Sequence, residues 1–86
     1  MNCACCGRKK KMFESFEDLG KGGCVCVQCS DIMYRIHDAV TEKNKGIYSE
    51  QVAIIRSFGE KKKSTSEFIK WFEEDFMKRN EFKESK

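Results

Sequence analysis

The residues with the clearest potential for chemistry are cysteines. Four of the six form two C-x-x-C pairs, Cys3/Cys6 and Cys26/Cys29, with 19 residues between the pairs. Two such pairs at this separation are typical of a tetrahedral Zn²⁺ site. Gly7 suits the tight turn that carries the first two thiolates. The spacing predicts one structural Zn²⁺ per chain, held by these four cysteines. An iron–sulfur cluster and disulfide bonds are the weaker alternatives.

Two cysteines, Cys5 and Cys24, lie outside this pattern. The simplest interpretation is that they are small thiols packed near the metal, since an unmodified cysteine behaves as a small hydrophobe. Three alternatives stay open. Either residue could replace a neighbouring ligand, all six cysteines could hold two metal ions, or Cys5 could be a reactive thiol activated by the basic residues that follow it.

The stretches "CACCGR" and "CVQCSDIMYRI" resemble the zinc-binding N-terminal domain of the ClpX unfoldases. They are also similar to short bacterial zinc-ribbon domains with the pattern CxxCGK…CxxC. The resemblance covers residues 3 to about 40. It implies a treble-clef module that uses the same four cysteines and that dimerises or docks adaptor proteins. We do not expect unfoldase activity, because an ATPase module cannot fit in 86 residues.

The segment between the pairs and the helix after them must position the cysteines. Residues 20–23 are rich in glycine and predict a turn. Three apolar residues at three-residue spacing precede this turn and predict a short helix or a loop folded over the metal: Phe13, Phe16 and Leu19. The second pair opens an amphipathic helix. We expect Ser30 or Asp31 to cap it and residues 44–46 to end it.

Two further helices are predicted in the second half of the chain. The first starts after Ser49 and has Gly59 as the residue just past its end. The second starts at Ser64, which has capping-box spacing to Glu67. Its apolar positions form an aromatic stripe, most of which we expect in the core. Four residues of the stripe are candidates for a protein interface: Phe68, Trp71, Phe72 and Phe76.

Together these elements predict a small α+β zinc-binding protein. A four-cysteine treble-clef or zinc-ribbon module, residues 1–45, is followed by an α-helical region, residues 46–86, that packs on it or on a partner. A closed site of four cysteines, a single histidine and the lack of a Ser/His/Asp set argue against an enzyme. We therefore expect a non-enzymatic protein–protein interaction module. It would be a small adaptor or inhibitor, acting as a homodimer or on another protein.

The charge pattern supports an alternative function. The formal net charge is only +3, from 17 basic and 14 acidic residues, and acids are interleaved along most of the chain. Two basic runs stand out: Arg8, Lys9, Lys10 and Lys11, and Lys61, Lys62 and Lys63. If both runs lie on one face, they could neutralise phosphates. The alternative is therefore a nucleic-acid-binding zinc protein, such as a small transcription regulator.

The sequence also predicts where the protein works. The longest aliphatic run, residues 52–55, is far too short to cross a membrane. The cysteine-rich N-terminal stretch lacks the apolar core of a secretory signal. In a reducing compartment, paired cysteines bind metal more often than they form disulfides. We therefore expect a cytoplasmic protein with no membrane partner.

Overall fold

The computed structural model describes residues 1–82. The chain starts with a knuckle, in which Asn2 and Lys9 pair as an isolated antiparallel bridge. A short hairpin follows, formed by β1 (Glu17–Asp18) and β2 (Cys24–Val25), with a 3₁₀ turn at Gly20–Gly22 between the strands. The predicted turn at residues 20–23 is therefore confirmed. The segment before it is a loop that leads into β1, so the short-helix alternative for Phe13, Phe16 and Leu19 is wrong.

The rest of the described chain is helical. α1 spans Val27–Thr41 and α2 spans Lys45–Glu60. α3 (Ser66–Trp71) runs without a break into a π-helical segment (Phe72–Phe76) and then into α4 (Met77–Arg79). We call this continuous element, residues 66–79, the C-terminal helix. Knuckle, hairpin and helix follow one another in treble-clef order, so the predicted fold class is confirmed.

α1 and α2 pack as an antiparallel pair, because each has one apolar face. α1 buries Met33, Ile36 and Ala39, which lie three residues apart along it. α2 buries Val52 and Ile55. The short connection between them requires neighbouring, oppositely directed helices.

The C-terminal helix carries a ladder of aromatic rings. Phe72 stacks between Phe68 and Phe76, with ring centroids 5.8 and 5.2 Å apart. The backbone N–H of Met77 donates to the carbonyl of Phe72, five residues earlier, which is the bond of a π-helical turn. The predicted stripe is thus real, and three of its rings are 8% exposed or less.

One hydrophobic core joins the two halves of the chain. Its buried residues include Cys3, Ala4 and Cys5 from the knuckle together with Phe68 and Phe72 from the C-terminal helix. Backbone contacts tie the same parts together, since the N–H of Thr65 donates to the carbonyl of Ala4 at 2.9 Å. The helical region therefore packs directly on the cysteine module.

One predicted helix cap and one predicted helix start are wrong. The second cysteine pair opens α1 at Val27 as predicted, but the N-cap residue is Cys26 and not Ser30 or Asp31. α2 begins at Lys45, four residues before the predicted start at Ser49. The side chain of Asn44 accepts a hydrogen bond from the N–H of Ile47 at 3.1 Å and caps α2 there. A residue predicted to stop one helix therefore starts the next.

Two predictions about helix ends and caps are also wrong. Gly59 is not past the end of α2, because the helix continues to Glu60 and the left-handed residue is Lys62, at φ 60°. The C-terminal helix is capped by Thr65, whose hydroxyl accepts from the N–H of Phe68 at 3.0 Å. Ser64 is not the cap, since its hydroxyl donates to the carbonyl of Cys5.

Candidate metal centre

The knuckle holds the first cysteine pair in a tight turn. The N–H of Cys3 donates to the carbonyl of Arg8 at 2.8 Å, and the N–H of Gly7 donates to the carbonyl of Cys3 at 2.9 Å. Gly7 has φ 76°, a conformation that residues other than glycine adopt rarely. A Cβ at this position would lie only 2.8 Å from the carbonyl oxygen of Lys63. Both the turn and its neighbour therefore require glycine.

The second pair lies at the start of α1. Cys26 follows β2 directly and is the N-cap residue, and Cys29 lies in the first turn. Helix N-termini favour negative groups, because the first backbone N–H groups have no helical acceptor. The N–H groups of Cys6 and Cys26 point at the sulfur of Cys3, at 3.4 and 3.3 Å. The backbone of both pairs thus stabilises a thiolate.

The geometry of the four sulfurs fits a metal ion such as Zn²⁺. The Sγ atoms of Cys3, Cys6, Cys26 and Cys29 all lie within 4.8 Å of one another. Two of the separations are 3.7 Å (Cys3–Cys29) and 3.8 Å (Cys6–Cys26). A tetrahedron with Zn–S bonds of about 2.3 Å has sulfur–sulfur edges of about 3.8 Å. The structure therefore brings together the four cysteines that the sequence predicts as ligands.

These four side chains lie inside the protein. Cys3, Cys26 and Cys29 are 2% exposed or less, and Cys6 is half-buried. Four sulfur donors complete a tetrahedral shell, and closed shells of this kind are typical of structural sites. Catalytic sites instead keep a position open for water or substrate.

The environment changes the pKa values of the clustered thiols in different directions. The hydrogen bond between the Cys3 and Cys29 sulfurs lowers the pKa of Cys3 to about 4 and raises the pKa of Cys29. Burial raises the pKa of Cys6 to about 11. A divalent cation binds thiolates, so its binding displaces the protons that such sulfurs carry.

The two remaining cysteines lie outside the group. Cys5 is fully buried in the core, between the knuckle and the C-terminal helix. This burial supports its interpretation as a packed thiol and argues against a reactive one, because a reagent needs access. Cys24 is half-buried in β2, and its carbonyl accepts from the N–H of Ala4 at 2.8 Å. Both residues support the centre through packing and backbone contacts.

The residues of the first basic run have different partners. The Arg8 guanidinium binds the Glu14 carboxylate with two hydrogen bonds, reaches Gln28 and lies 5.7 Å above the Phe16 ring. The bond to Arg8 lowers the pKa of Glu14 to about 2. Arg8 therefore clamps the loop that follows the knuckle. Lys9 and Lys11 are exposed, and Lys10 is half-buried.

The second basic run lies next to the first. Lys61, Lys62 and Lys63 are exposed in the loop between α2 and the C-terminal helix. The backbone of Lys63 lies beside Gly7, since a Cβ at Gly7 would come within 2.8 Å of the Lys63 carbonyl oxygen. The loop thus brings the end of the second run next to the residue that precedes the first. Within residues 1–82, none of the six lysines of these runs forms an ion pair.

A cleft of about 390 Å³ lies where the C-terminal helix meets α1 and the hairpin. Its floor is apolar: Leu19, Met33, Trp71 and Phe76. Its rim is polar: Glu17, Ser30, Tyr34, His37, Arg79 and Asn80. The cleft therefore combines an apolar surface with hydrogen-bonding groups, which is typical of binding sites.

The rim of the cleft is held by hydrogen bonds between elements. Ser30 and Tyr34 both donate to the Glu17 carboxylate, the latter at 2.8 Å. This bond raises the pKa of Tyr34. On the other side, the His37 ring donates to the side-chain oxygen of Asn80 at 2.8 Å. No sequence motif indicates this rim, because its residues come from distant parts of the chain.

The other two candidate interface residues line a second groove. Phe68 and Phe72 lie at its floor, between α2 and the C-terminal helix, in a space of about 360 Å³. Both rings are 2% exposed or less. An ion pair between Arg56 and Glu73, at 2.9 Å, closes one side. The four aromatic candidates therefore belong mainly to the core, and Trp71 alone among them is half-buried.

Comparison with protein-family models, curated proteins and solved structures finds no match to this chain. The resemblance to the zinc-binding domain of ClpX therefore does not establish a family. The four-cysteine cluster suggests a zinc site by its own geometry.

Proposed function

We propose that the chain is a non-enzymatic binding protein built around one structural Zn²⁺. The observation that supports the metal is the group of four cysteine sulfurs at tetrahedral spacing, buried and complete without an outside ligand. Zn²⁺ fits this group, because it takes four sulfur donors readily and has no geometric preference that would conflict with a tetrahedron. A reducing compartment such as the cytoplasm keeps the thiolates available.

Native mass spectrometry tests this part of the proposal. It counts metal ions per chain and chains per particle in one experiment. We expect one zinc per chain. Two metal ions per chain would contradict the ligand set, since they would need Cys5 and Cys24 as well. A Cys5→Ala variant is the matched control, and it should retain one zinc.

The leading function within this proposal is docking on another protein, as a small adaptor or inhibitor. The cleft beside Trp71 carries it, because it combines an apolar floor with a rim of groups that can hydrogen-bond to a partner's backbone. Tyr34 stands at the rim and is 57% exposed. Tyrosine and tryptophan are among the residues most often found at energetically dominant interface positions. A second copy of this chain is one partner that such a cleft could take.

Site-specific crosslinking tests the docking function. A photo-crosslinking residue at Tyr34 should capture a defined protein or a second copy, and the same residue at Ile47 should not. Ile47 is the matched control, since it is 45% exposed and lies on α2 outside the cleft. With the captured protein purified, Tyr34→Ala should weaken binding about tenfold or more, and Ile47→Ala should have no effect. Equal capture at both positions would contradict the docking function.

The second candidate function is nucleic-acid binding, and one observation favours it. The backbone of Lys63 lies beside Gly7, which supports a surface that both basic runs share. The four consecutive basic residues 8–11 start one position later, and three of them are lysines without an ion pair in residues 1–82. Lysines in such a group can release counterions from a phosphate backbone. A mobility-shift assay at low salt tests this candidate, and no shift with duplex or single-stranded DNA would end it.

A further inference from the structure

We infer that the loop after the knuckle is a binding site for single-stranded nucleic acid, in which Phe13 stacks on a base and the neighbouring lysines contact phosphates. This inference rests on the second candidate function and names its ligand. Phe13 is 97% exposed and Met12 is 82% exposed. A fully exposed phenylalanine forgoes apolar burial that the core of a small protein could have used. The ring is therefore accessible to a partner outside the chain.

The backbone that carries Phe13 is fixed by hydrogen bonds. Phe13 has φ 68°, which is uncommon for a bulky residue and is found mainly at turns and functional sites. Glu14 fixes the turn, since its N–H donates to the carbonyl of Lys11 at 3.2 Å and its carboxylate accepts from the N–H of Lys11 at 3.1 Å. Arg8 in turn binds that carboxylate. The turn thus presents the aromatic ring of Phe13 to solvent as a platform on which a base could stack.

The charge around the platform favours a polyanion. Lys9, Lys10 and Lys11 come shortly before it, and the nearest acid, Glu14, is neutralised by Arg8. The second run, residues 61–63, ends at Lys63, whose backbone lies beside Gly7. Phe13 lies six positions after Gly7, so it is at most about 20 Å of chain from this point. Several exposed lysines within this reach can each contact a phosphate of one polyanionic strand.

A single strand fits this surface better than a duplex. Aromatic side chains bind single strands by stacking on unpaired bases, while a positive groove follows the backbone. In a duplex each base is already stacked on its neighbours, so Phe13 would have nothing to stack on. Duplex DNA would contact the lysines alone.

Fluorescence anisotropy with the zinc-loaded full chain tests the inference. The probes are a labelled 12-nucleotide oligo-dT and a labelled 12-base-pair duplex, titrated at low and at physiological salt. We expect Phe13→Leu to weaken oligo-dT binding about tenfold, since one base–aromatic stack is worth roughly that factor, and to leave duplex binding unchanged. Phe13→Trp is the matched control, because it keeps an aromatic face, and it should retain or improve oligo-dT affinity.

A triple Lys61→Ala, Lys62→Ala, Lys63→Ala variant separates the inference from the function on which it rests. It should weaken both probes and make the salt dependence of oligo-dT binding shallower by about two units of slope, at about 0.7 for each phosphate that the variant no longer neutralises. If this variant binds weakly while Phe13→Leu binds oligo-dT like the wild type, the stacking inference is wrong and the nucleic-acid function stands. Failure of the wild type to bind either probe at low salt would overturn both.

Vesicles provide the last arm of the test. They contain one-third phosphatidylserine and two-thirds phosphatidylcholine. We expect weaker binding to these vesicles than to oligo-dT at the same salt. Strong vesicle binding by the wild type, with no oligo-dT binding at the same salt, would assign the loop to a membrane surface and would overturn the inference.

Discussion

The cysteine module and the helical region of this protein are held together by different physical means. Residues 1–26 contain two strands of two residues each and a single bridge, and most of their buried side chains are cysteines or small residues. Residues 27–79 form helices whose largest fully buried side chains are Phe68, Phe72, Ile36 and Ile55. The first region contributes few large apolar side chains, so it depends on its contacts with the helices and on a metal that the four cysteines would hold, whereas the second supplies most of the large apolar side chains of the shared core.

The regions nevertheless meet at a shared boundary. Gly22 of the 3₁₀ turn lies against Trp71, so closely that a Cβ there would come within 2.7 Å of the indole ring. Ser64 and Thr65 hydrogen-bond to the carbonyls of Cys5 and Ala4. The cysteine module thus serves as a cap on the aromatic face of the C-terminal helix. A metal held by the four cysteines would therefore order the module directly and the helical region indirectly.

Loss of the metal should have the largest effect on the structure. It should unfold the cysteine module and leave most of the helical structure in place. Chelation, or Cys26→Ser, removes a metal whose binding is worth about 10–16 kcal/mol in small zinc domains at neutral pH. We expect residues 2–25 to lose their dispersed amide NMR signals. The helices should keep most of their far-ultraviolet circular dichroism, while Trp71 loses its near-ultraviolet signal. Complete loss of the helical circular dichroism would instead show that the two regions fold as one unit and that the helices also depend on the metal.

Removing one phenyl ring from each region should give opposite results. Phe72 is 2% exposed and stacks on two neighbours, so Phe72→Ala should cost about 3–5 kcal/mol. Phe13 is 97% exposed, so Phe13→Ala should change stability by less than about 0.5 kcal/mol. Urea unfolding of the zinc-loaded variants measures both. Similar losses in the two variants would show that the loop after the knuckle is packed against something.

Adding one methyl group at Gly22 tests the contact between the cysteine module and the C-terminal helix. Gly22→Ala places a Cβ against the ring of Trp71 and should cost about 1–3 kcal/mol, as overpacking does elsewhere. Gly46→Ala is the matched control, because it lies inside α2, where a Cβ would make only an ordinary 3.7 Å contact with the side-chain oxygen of Asn44, and it should be neutral or stabilising by about 0.5–1 kcal/mol. Urea midpoints and the fluorescence of Trp71, the single tryptophan, report the result. An unchanged stability in Gly22→Ala would show that the close contact between Gly22 and Trp71 does not join the two regions.

The smallest expected effect is a shift in the titration of Tyr34, which links α1 to β1 of the hairpin. Its hydrogen bond to Glu17 raises its pKa above the ordinary value of 10.0. This bond therefore stabilises the fold below pH 10, and its contribution is lost as the pH rises through the raised pKa. Phenolate absorbance should show a lower midpoint for Tyr34 in Glu17→Gln than in the wild type.

A control assigns that titration to the right residue. The chain has two tyrosines, so Tyr34→Phe identifies the absorbance change that belongs to Tyr34. An unchanged midpoint in Glu17→Gln would show that the hairpin and α1 are not coupled through this bond.

The predictable features of this protein are those coded by local spacing. The two C-x-x-C pairs predicted which sulfurs come together, and the apolar period predicted three helices. The aromatic stripe of the C-terminal helix was also visible, because its residues recur at the helical period.

The features that sequence analysis missed depend on contacts between distant residues. The second cysteine pair opens α1 as predicted, but the N-cap residue is Cys26 and not Ser30 or Asp31. Ser64 is drawn away from its capping role by the carbonyl of Cys5, which lies 59 residues earlier. The Arg8–Glu14 clamp has no motif either. The adjacent pair Met12–Phe13 directly after a lysine run was the one local signal that could have indicated the exposed loop.

X-ray absorption at the zinc edge tests the central claim most directly, because it reads the number and type of atoms bound to the metal. For a four-cysteine site, we expect four sulfur atoms at about 2.3 Å and no nitrogen or oxygen atom bound to the metal. Three sulfurs and a lighter atom around the zinc would contradict it. That result would mean an open coordination position, and the site would then belong with catalytic zinc centres.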